Sequence, residues 1–341
     1  MPCPYVSRTL RSCWKYTTGE IPMAQATSRQ IPDEAQVLGW MESLSNWGRW
    51  GDDDQLGCLN LITPAKRQQA AALVQDGIPV SCARPISTDM HADVTFQVQR
   101  FMVDSGEGRN EDSTERQYTR RGAAEFIGMV FHGQSITHID AMSHYSWQGH
   151  LYNGKPAQMI TSREGAQTHS IEAAYSGIVT RGVLLDLPKL RGVDYLDPME
   201  PVMPVDLLEA EEAQGVKLEE GDILLVRTGN YKMRLDNPPA RALEPMTACQ
   251  VACTPLFKER GIAMLGTDTS NDFRPSHYGT IGSPLHTVCL VTLGLWLIDN
   301  ANLEELAAAC AQRNRYEFML TLAPLRLRNV TGSPVSPIAL F

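Results

Sequence analysis

Residues 134–144 read Gln134-Ser-Ile-Thr-His138-Ile-Asp140-Ala-Met-Ser-His144, and the stretch brings two histidines, an aspartate and an amide into eleven residues. Because the side chains of an extended strand alternate between its two faces, Gln134, His138 and Asp140 are predicted to share one face. Imidazole and amide donors together with a carboxylate suit a divalent ion such as Mn²⁺ or Zn²⁺. His144 falls just beyond the predicted end of the strand, near the ion, and this position suits a general base.

Each of these side chains also has an ordinary structural explanation. A single histidine on an apolar face is commonly a core residue with satisfied hydrogen bonds, and Asp140 could cap a helix that begins at Ala141. These explanations would have to apply to every polar residue of the stretch at once. The combination therefore favours a metal site over several unrelated structural roles.

The stretch resembles the signature of the metal-dependent cyclase family of hydrolases, which includes bacterial kynurenine formamidases and isatin hydrolases. The family pattern reads His-x-Gly-Thr-His-x-Asp-x-Pro-x-His. The positions that match it at the right spacing are Thr137, His138, Asp140 and His144. The positions that depart from it are Gln134 for the first histidine, Ile136 for the glycine and Met142 for the proline.

Weaker similarity to the longer branch of this family extends along most of the chain. The segments that carry it are residues 46–57, 59–64, 181–187, 221–229 and 332–334. The resemblance implies a single hydrolase domain over residues 36–341 with the family's compact β/β/α fold, an α/β fold with a central mixed sheet. Residues 1–35 are then expected to be a poorly ordered N-terminal extension. Residues 1–22 lack the apolar core of a secretory signal, and Met23 could be the natural start, although a short targeting peptide is an alternative.

The apolar pattern independently indicates an α/β domain, because short apolar runs alternate with helical stretches. The predicted strands are residues 125–140, 183–187, 223–226, 262–265 and 316–327, with a turn over residues 332–334. The predicted helices are residues 34–44, 64–76, 204–214 and 248–260. Residues 104–122 are charged and contain glycine, which predicts an exposed excursion or a lid.

The resemblance also implies that a histidine and an acidic residue from the last third of the chain complete the metal site. The best matches in this chain are His286 and Asp299. The family usually carries glutamate at the later position, and aspartate is one methylene shorter. Asp299 could therefore cap a helix or a turn instead, and His286 could be a core residue.

Three further residues bear on the site. His132 has the strand parity of Gln134 and could lie near the ion, although burial is the favoured interpretation. Asp268 follows an apolar run, where acidic residues often face a site, but a turn-capping role is favoured. An amide oxygen is a weaker ligand than imidazole, so Gln134 in place of a histidine favours a single ion held mainly by His138 and Asp140.

The composition is that of a soluble globular protein, with 341 residues, of which 43% are hydrophobic and 20% charged. A net charge of −9 disfavours nucleic acid as a partner, and no apolar run is long enough for a membrane span. The 8 cysteines form no CxxC pair, which predicts reduced and mostly buried thiols in a cytoplasmic setting. The resemblance implies a homodimer or homotetramer.

These observations predict a metal-dependent hydrolase that opens a small cyclic amide, imide or lactone, or cleaves an N-acyl amide. The ion would activate water and polarise the substrate carbonyl, and His144 would be the general base. No Gly-x-Ser-x-Gly elbow, dinucleotide fingerprint or P-loop is present in the sequence. The alternatives are a metal-dependent lyase or cyclase that acts through an enolate, and a non-catalytic homologue that binds a small ligand.

Overall fold

The computed structural model describes residues 29–94, 96–107, 122–240 and 245–341 of the chain. The N-terminal extension predicted for residues 1–35 and the lid predicted for residues 104–122 lie largely outside the described residues. Within these ranges the predicted α/β fold with a central mixed sheet is confirmed.

Nine of the described strands form one mixed sheet. In sheet order they are β1 (Pro79–Ser81), β13 (Ile338–Leu340), β11 (Glu317–Leu322), β7 (Ile178–Asp186), β8 (Ile223–Arg227), β9 (Met264–Thr267), β10 (Trp296–Asp299), β4 (His138–Asp140) and β12 (Gly332–Pro334). Strands β7 to β10 run parallel in the centre, and antiparallel strands extend the sheet on both sides. Two small ribbons pair β2 (Gln99–Asp104) with β3 (Ala124–Gly128), and β5 (Ile160–Thr161) with β6 (Gly165–Ala166).

The central strands are nearly continuous apolar runs because both faces of the parallel sheet are covered. Alternate residues of each strand therefore enter two separate cores. Ile223 and Ile298 belong to the core on one face, whereas Leu224 and Leu297 belong to the core on the other. The polar site described below lies among residues of the second face.

Helices close both cores. The second core is covered by α1 (Glu34–Ser43), α4 (Pro204–Gln214), α6 (Thr254–Arg260) and α7 (Pro284–His286), which continues as a π-helix over Thr287–Leu293. The first core is covered by α8 (Glu304–Arg313). The remaining described helices are α2 (Pro64–Ala72), α3 (Leu187–Arg191) and α5 (Asn230–Asp236). As predicted, α2 begins at Pro64, and the Thr63 hydroxyl caps it by accepting a hydrogen bond from the N–H of Lys66.

The prediction of one strand over residues 125–140 is wrong. The strand β3 ends early, residues 129–137 bend, and strand structure resumes only at His138. The cause is that the backbone of this bend bonds to side chains rather than to a neighbouring strand. Arg84 donates to the carbonyl of Gln134, and Asn300 donates to carbonyls on either side of it.

The prediction of a turn over residues 332–334 is also wrong. These residues form β12, the edge strand that pairs antiparallel with β4. The Gly-Ser-Pro composition suggested a turn, but an edge strand tolerates proline because one side of its backbone needs no ladder partner. The strand β12 therefore borders the site directly.

None of the helices in the described part of the chain combines the length and apolar character that crossing a bilayer demands. The cysteines of the described residues are all free and buried, which agrees with the prediction of mostly buried thiols there. They are Cys58, Cys82, Cys249, Cys253, Cys289 and Cys310.

Candidate metal centre

Two antiparallel strands, β4 and β10, supply three acidic or imidazole side chains to one face of the sheet. His138 pairs with Asp299 across the strands, and Asp140 follows His138 two positions later on the same face. The intervening residue, Ile139, is fully buried in the core of the opposite face. The alternation predicted from the sequence is therefore correct for His138 and Asp140.

Asp140 is the centre of the cluster. Its Oδ1 lies 3.0 Å from His132 Nδ1, 3.5 Å from His138 Nε2 and 3.9 Å from His144 Nε2. Its Oδ2 lies 3.4 Å from His286 Nε2. Both oxygens are buried, and neither receives a hydrogen bond of acceptable geometry from the described residues. A buried carboxylate without donors is costly, so this arrangement calls for a positive charge between the groups.

The hydrogen bonds behind the imidazoles define which nitrogens face Asp140. The Nδ1–H of His138 donates to the carbonyl oxygen of Ile136 at 2.8 Å, which leaves a lone pair on Nε2. In His286, Nδ1 lies 2.5 Å from Asp272 Oδ2, which again turns Nε2 toward Asp140. A carboxylate behind a histidine and lone pairs directed at a common point are features of metal-ligating histidines.

His286 is fixed by the start of α7. The backbone N–H groups of Leu285 and His286 both donate to the carboxylate of Asp272, so the same residue holds the helix start and the ring. Burial would lower the pKa of His286, but Asp272 and Asp140 raise it well above its ordinary value. The position therefore attracts positive charge strongly.

His132 reaches the centre through the bend that precedes β4. Its side chain is 24% exposed and lies 3.0 Å from Asp140, so the favoured prediction of burial in the core is wrong. Its Nε2 is 3.0 Å from Thr331 Oγ1, and an Nε2–H that donates there leaves the Nδ1 lone pair toward Asp140. On β12, Gly332 makes room for the ring, because a Cβ there would meet His132 Cε1 at 2.9 Å.

His144 completes the ring of imidazoles. It stacks on His132 with ring centroids 3.8 Å apart, and 23% of its side chain is exposed. Burial lowers the pKa of His144 to about 4, so the ring is neutral at neutral pH. Burial alone would raise the pKa of Asp140, but the imidazoles of His144 and His138 hold it well below its ordinary value.

The structure brings Asp299 to the same place and Gln134 to a different one. Asp299 Oδ2 lies 3.8 Å from both His138 Nε2 and His286 Nε2, and Asn271 donates to its other oxygen. Gln134 lies on the bend and lines a cavity beside the centre. The predicted placement of Gln134 on the strand face of His138 is therefore wrong, while its role as a ligand stays a prediction.

The donors fit a divalent ion. Two overlapping triads have ligand atoms that all lie within 4.8 Å of one another: His132, His138 and Asp140, and Asp140, His144 and His286. Imidazole with carboxylate suits Zn²⁺ and Mn²⁺ alike. Sequence reasoning favoured a structural role for His132. The sequence did contain one signal for His132: the motif histidine is replaced by Gln134, so a histidine close by was a candidate to take its place.

Asp268 takes the structural role that the sequence favoured. Its carboxylate accepts hydrogen bonds from the N–H groups of Thr228, Gly229 and Asn230 and from the Thr228 hydroxyl. These donors hold the turn that leads into α5. The prediction of a turn cap at Asp268 is confirmed.

A family model, that of the Cyclase family, matches residues 64–271, more than half of the chain. The chain belongs to the cyclase family. A crystal structure described as that of a novel cyclase is 34% identical, covers 88% of this chain and 100% of its own, and superimposes with a TM-score of 0.79. No curated protein matches the chain.

Isatin hydrolases share the fold of this cyclase at lower identity. Isatin hydrolase A from Labrenzia aggregata, bound to benzyl benzoate, is 19% identical with a TM-score of 0.53, over 79% of this chain and 94% of its own. An isatin hydrolase bound to the product analogue thioisatinate is 14% identical with a TM-score of 0.52, over 80% of this chain and 94% of its own. These two likenesses establish the fold alone.

Proposed function

We propose that this protein is a metal-dependent hydrolase that opens a cyclic amide, imide or lactone, or cleaves an N-acyl amide. The observation that carries the proposal is the buried carboxylate of Asp140, which no donor of the described residues satisfies and which four imidazoles surround. Such a set is too polar to serve packing, and its partially exposed members open it to a small molecule.

The residues that would hold the ion are those whose lone pairs converge. His138, Asp140 and His286 are buried, and hydrogen bonds hold the two histidine rings from behind, whereas Asp299 lies slightly farther away. When bound, a divalent ion would lower the pKa of water and polarise the substrate carbonyl. Asp272 orients His286, and the carbonyl of Ile136 orients His138, so neither ring needs to reorganise during a reaction.

His144 suits the general base because its ring combines proximity with access. Its Nε2 is 3.9 Å from Asp140 Oδ1, and its exposed edge reaches the solvent side of the cluster. Nε2 would accept a proton from the attacking water as the oxygen–carbon bond forms. The same proton would then pass to the leaving nitrogen or oxygen as the carbon–nitrogen or carbon–oxygen bond breaks.

Relatives support this reaction class. The isatin hydrolases are hydrolases by name, isatin is a cyclic amide, and we propose the same class of chemistry for this chain. The binding of a product analogue to one of them concerns that protein. By analogy with these proteins, a small cyclic carbonyl compound is the first substrate class to test for this protein.

The proposal is tested by incubating the purified protein, with added Mn²⁺ or Zn²⁺, with phthalimide, δ-valerolactone and N-formylaniline. Mass spectrometry should show a ring-opened product heavier by one water from phthalimide or δ-valerolactone, or aniline together with formate from N-formylaniline, and the Asp140→Asn variant should form none of them. A product of unchanged mass would favour the lyase or cyclase alternative. Absence of turnover together with absence of stoichiometric metal would favour a non-catalytic binding protein.

A further inference from the structure

A cavity that is open to solvent lies near the metal centre, with Gln134, Asn300 and Arg274 among its lining residues. Gln134 and Asn300 form the wall nearest the centre, since Gln134 follows His132 by two residues and Asn300 is adjacent to Asp299. The carboxylates of Asp272 and Asp299 act on Arg274 through space, which places this cavity within reach of the charges at the metal centre.

Two arginines line the cavity, and they differ in their partners. The guanidinium of Arg234 forms two hydrogen bonds with the carboxylate of Asp93, at 2.7 and 3.0 Å. Its charge is therefore neutralised within the cavity wall. Such a bidentate pair is the ordinary state of a partly buried arginine.

Arg274 has no such partner among the described residues. Its Nη2 donates only to the thioether sulfur of Met246, a weak acceptor, at 3.1 Å. Its Nε is buried without any hydrogen-bond partner in the described part of the chain. The carboxylates of Asp272, Asp299 and Asp93 act on the guanidinium only through space, and burial still lowers the pKa of Arg274.

The backbone explains why Arg274 keeps this position. Its N–H and carbonyl both pair with Met246, which anchors the residue to the segment on the other side of the cavity. Only Phe273 separates it from Asp272, which orients His286 at the metal centre. Backbone bonds therefore fix Arg274 beside the cavity, and its guanidinium forms no ion pair at hydrogen-bond distance with the described residues.

We propose that Arg274 is a specificity-determining residue that binds a carboxylate group of the substrate, placed away from the carbonyl that reacts. The inference rests on the proposed function and names its substrate class: a cyclic amide, imide or lactone that also carries a carboxylate. The guanidinium has no carboxylate at hydrogen-bond distance among the described residues, and a substrate carboxylate would supply that partner through a charge-assisted hydrogen bond. Arg234 cannot take this role while Asp93 occupies its donors.

The test measures binding rather than turnover, so that it stays independent of hydrolysis. The probes are 1-indanone-5-carboxylate and 1-indanone-5-carboxamide, which share a ring ketone, contain no ring bond that hydrolysis could open, and differ only in charge. Calorimetry on the Mn²⁺-loaded wild type should show the carboxylate bound about 10- to 100-fold more tightly than the amide, as for a charge-assisted hydrogen bond. Arg274→Gln should abolish this preference, and Arg274→Lys should keep part of it.

Met233→Leu is the matched control, since Met233 lines the same cavity and carries no charge; its preference should equal that of the wild type. Equal affinities of the two probes for the wild type would overturn the proposal. So would a preference that persists in Arg274→Gln, or failure of both probes to bind. A clear preference in a protein that hydrolyses nothing would keep the role of Arg274 and defeat the hydrolase, and hydrolysis without a preference would do the reverse.

Discussion

Asp140 is the last residue of β4, and Asp268 directly follows β9 in the same sheet, with β10 between these strands. Both aspartates are fully buried, but their surroundings are opposite. Asp268 receives three backbone N–H groups and one hydroxyl. Asp140 receives no hydrogen bond from the described residues and faces four imidazoles whose orientation is fixed from behind. Burial therefore does not distinguish a carboxylate of a functional site from a structural one. The groups that face the carboxylate do distinguish them.

The same contrast appears in the proton affinities of the two carboxylates. Burial raises the pKa of Asp268, and the hydrogen bonds from Thr228 only partly oppose it. At Asp140 the same burial is outweighed by His144 and His138, which lower the pKa well below its ordinary value. Hydrogen-bond donors of the protein surround the carboxylate of Asp268, whereas the carboxylate of Asp140 faces imidazoles that can carry positive charge.

The largest expected effect separates these two aspartates. Asp140→Asn keeps the size of the side chain but removes its charge, so the purified protein should lose its metal and all measurable hydrolysis. Wild type is expected to carry close to one divalent ion per chain. Elemental analysis of both proteins measures this directly, and Asp268→Asn serves as the matched control because it removes a buried carboxylate outside the centre. Equal metal in wild type and Asp140→Asn would remove Asp140 from the ligands.

The next effect concerns the chemistry of His144 once the ion is held. If His144 is the general base, His144→Ala should bind metal normally and lower kcat by about 10² to 10⁴, the usual contribution of such a base. The measurement pairs kcat with metal content in the same preparation. Joint loss of metal and activity would make His144 a ligand, as its place in a donor triad allows, and full activity would leave it a structural residue.

The third effect is one of stability and falls on the other aspartate. Asp268→Asn replaces an acceptor-only group with an amide whose NH₂ must face backbone N–H donors at the turn before α5. We expect a loss of about 1 to 3 kcal/mol in the free energy of unfolding, as for a buried hydrogen-bond network left partly unsatisfied. Urea denaturation measures it, with metal content of the folded protein unchanged. Unchanged stability together with lost metal would place Asp268 in the site and erase the contrast.

Much of the fold was predictable because its signals are local. Buried strands such as β8 are continuous apolar runs, and α2 begins with a threonine cap and a proline. The bend over residues 129–137 was not predictable from alternation, because side chains far away in the sequence, Arg84 and Asn300, bind its backbone. The loss of the predicted strand is thus a tertiary effect that overrides a local pattern.

The candidate site was predictable only where its signals are local. His138 and Asp140 follow from strand alternation, and His286 and Asp299 came only from the family resemblance, since their convergence depends on sheet pairing and on Asp272. His132 was misjudged because parity along a strand has no meaning on a bend. Arg274 gave no signal in the sequence, because its importance lies in the partner it lacks among the described residues.

The smallest expected effect sharpens the comparison at the rim of the centre, where Gln134 occupies the position of the family's first histidine. The sequence predicts that Gln134 donates weakly and keeps the site mononuclear, but the structure places it on the bend, beside the cavity. Imidazole is the stronger ligand, so Gln134→His should tighten metal binding by up to about 10-fold, the lower end of what changes around a bound ion produce. Competition with a chelator measures the affinity of wild type and variant.

His132→Gln is the companion variant. If His132 already supplies the missing imidazole, its loss should weaken metal binding, and Gln134→His should restore part of that affinity in the double variant. Unchanged affinity in Gln134→His, with a marked loss in His132→Gln, would show that the chain has moved this donor two residues along the bend and that Gln134 takes no part in holding the ion.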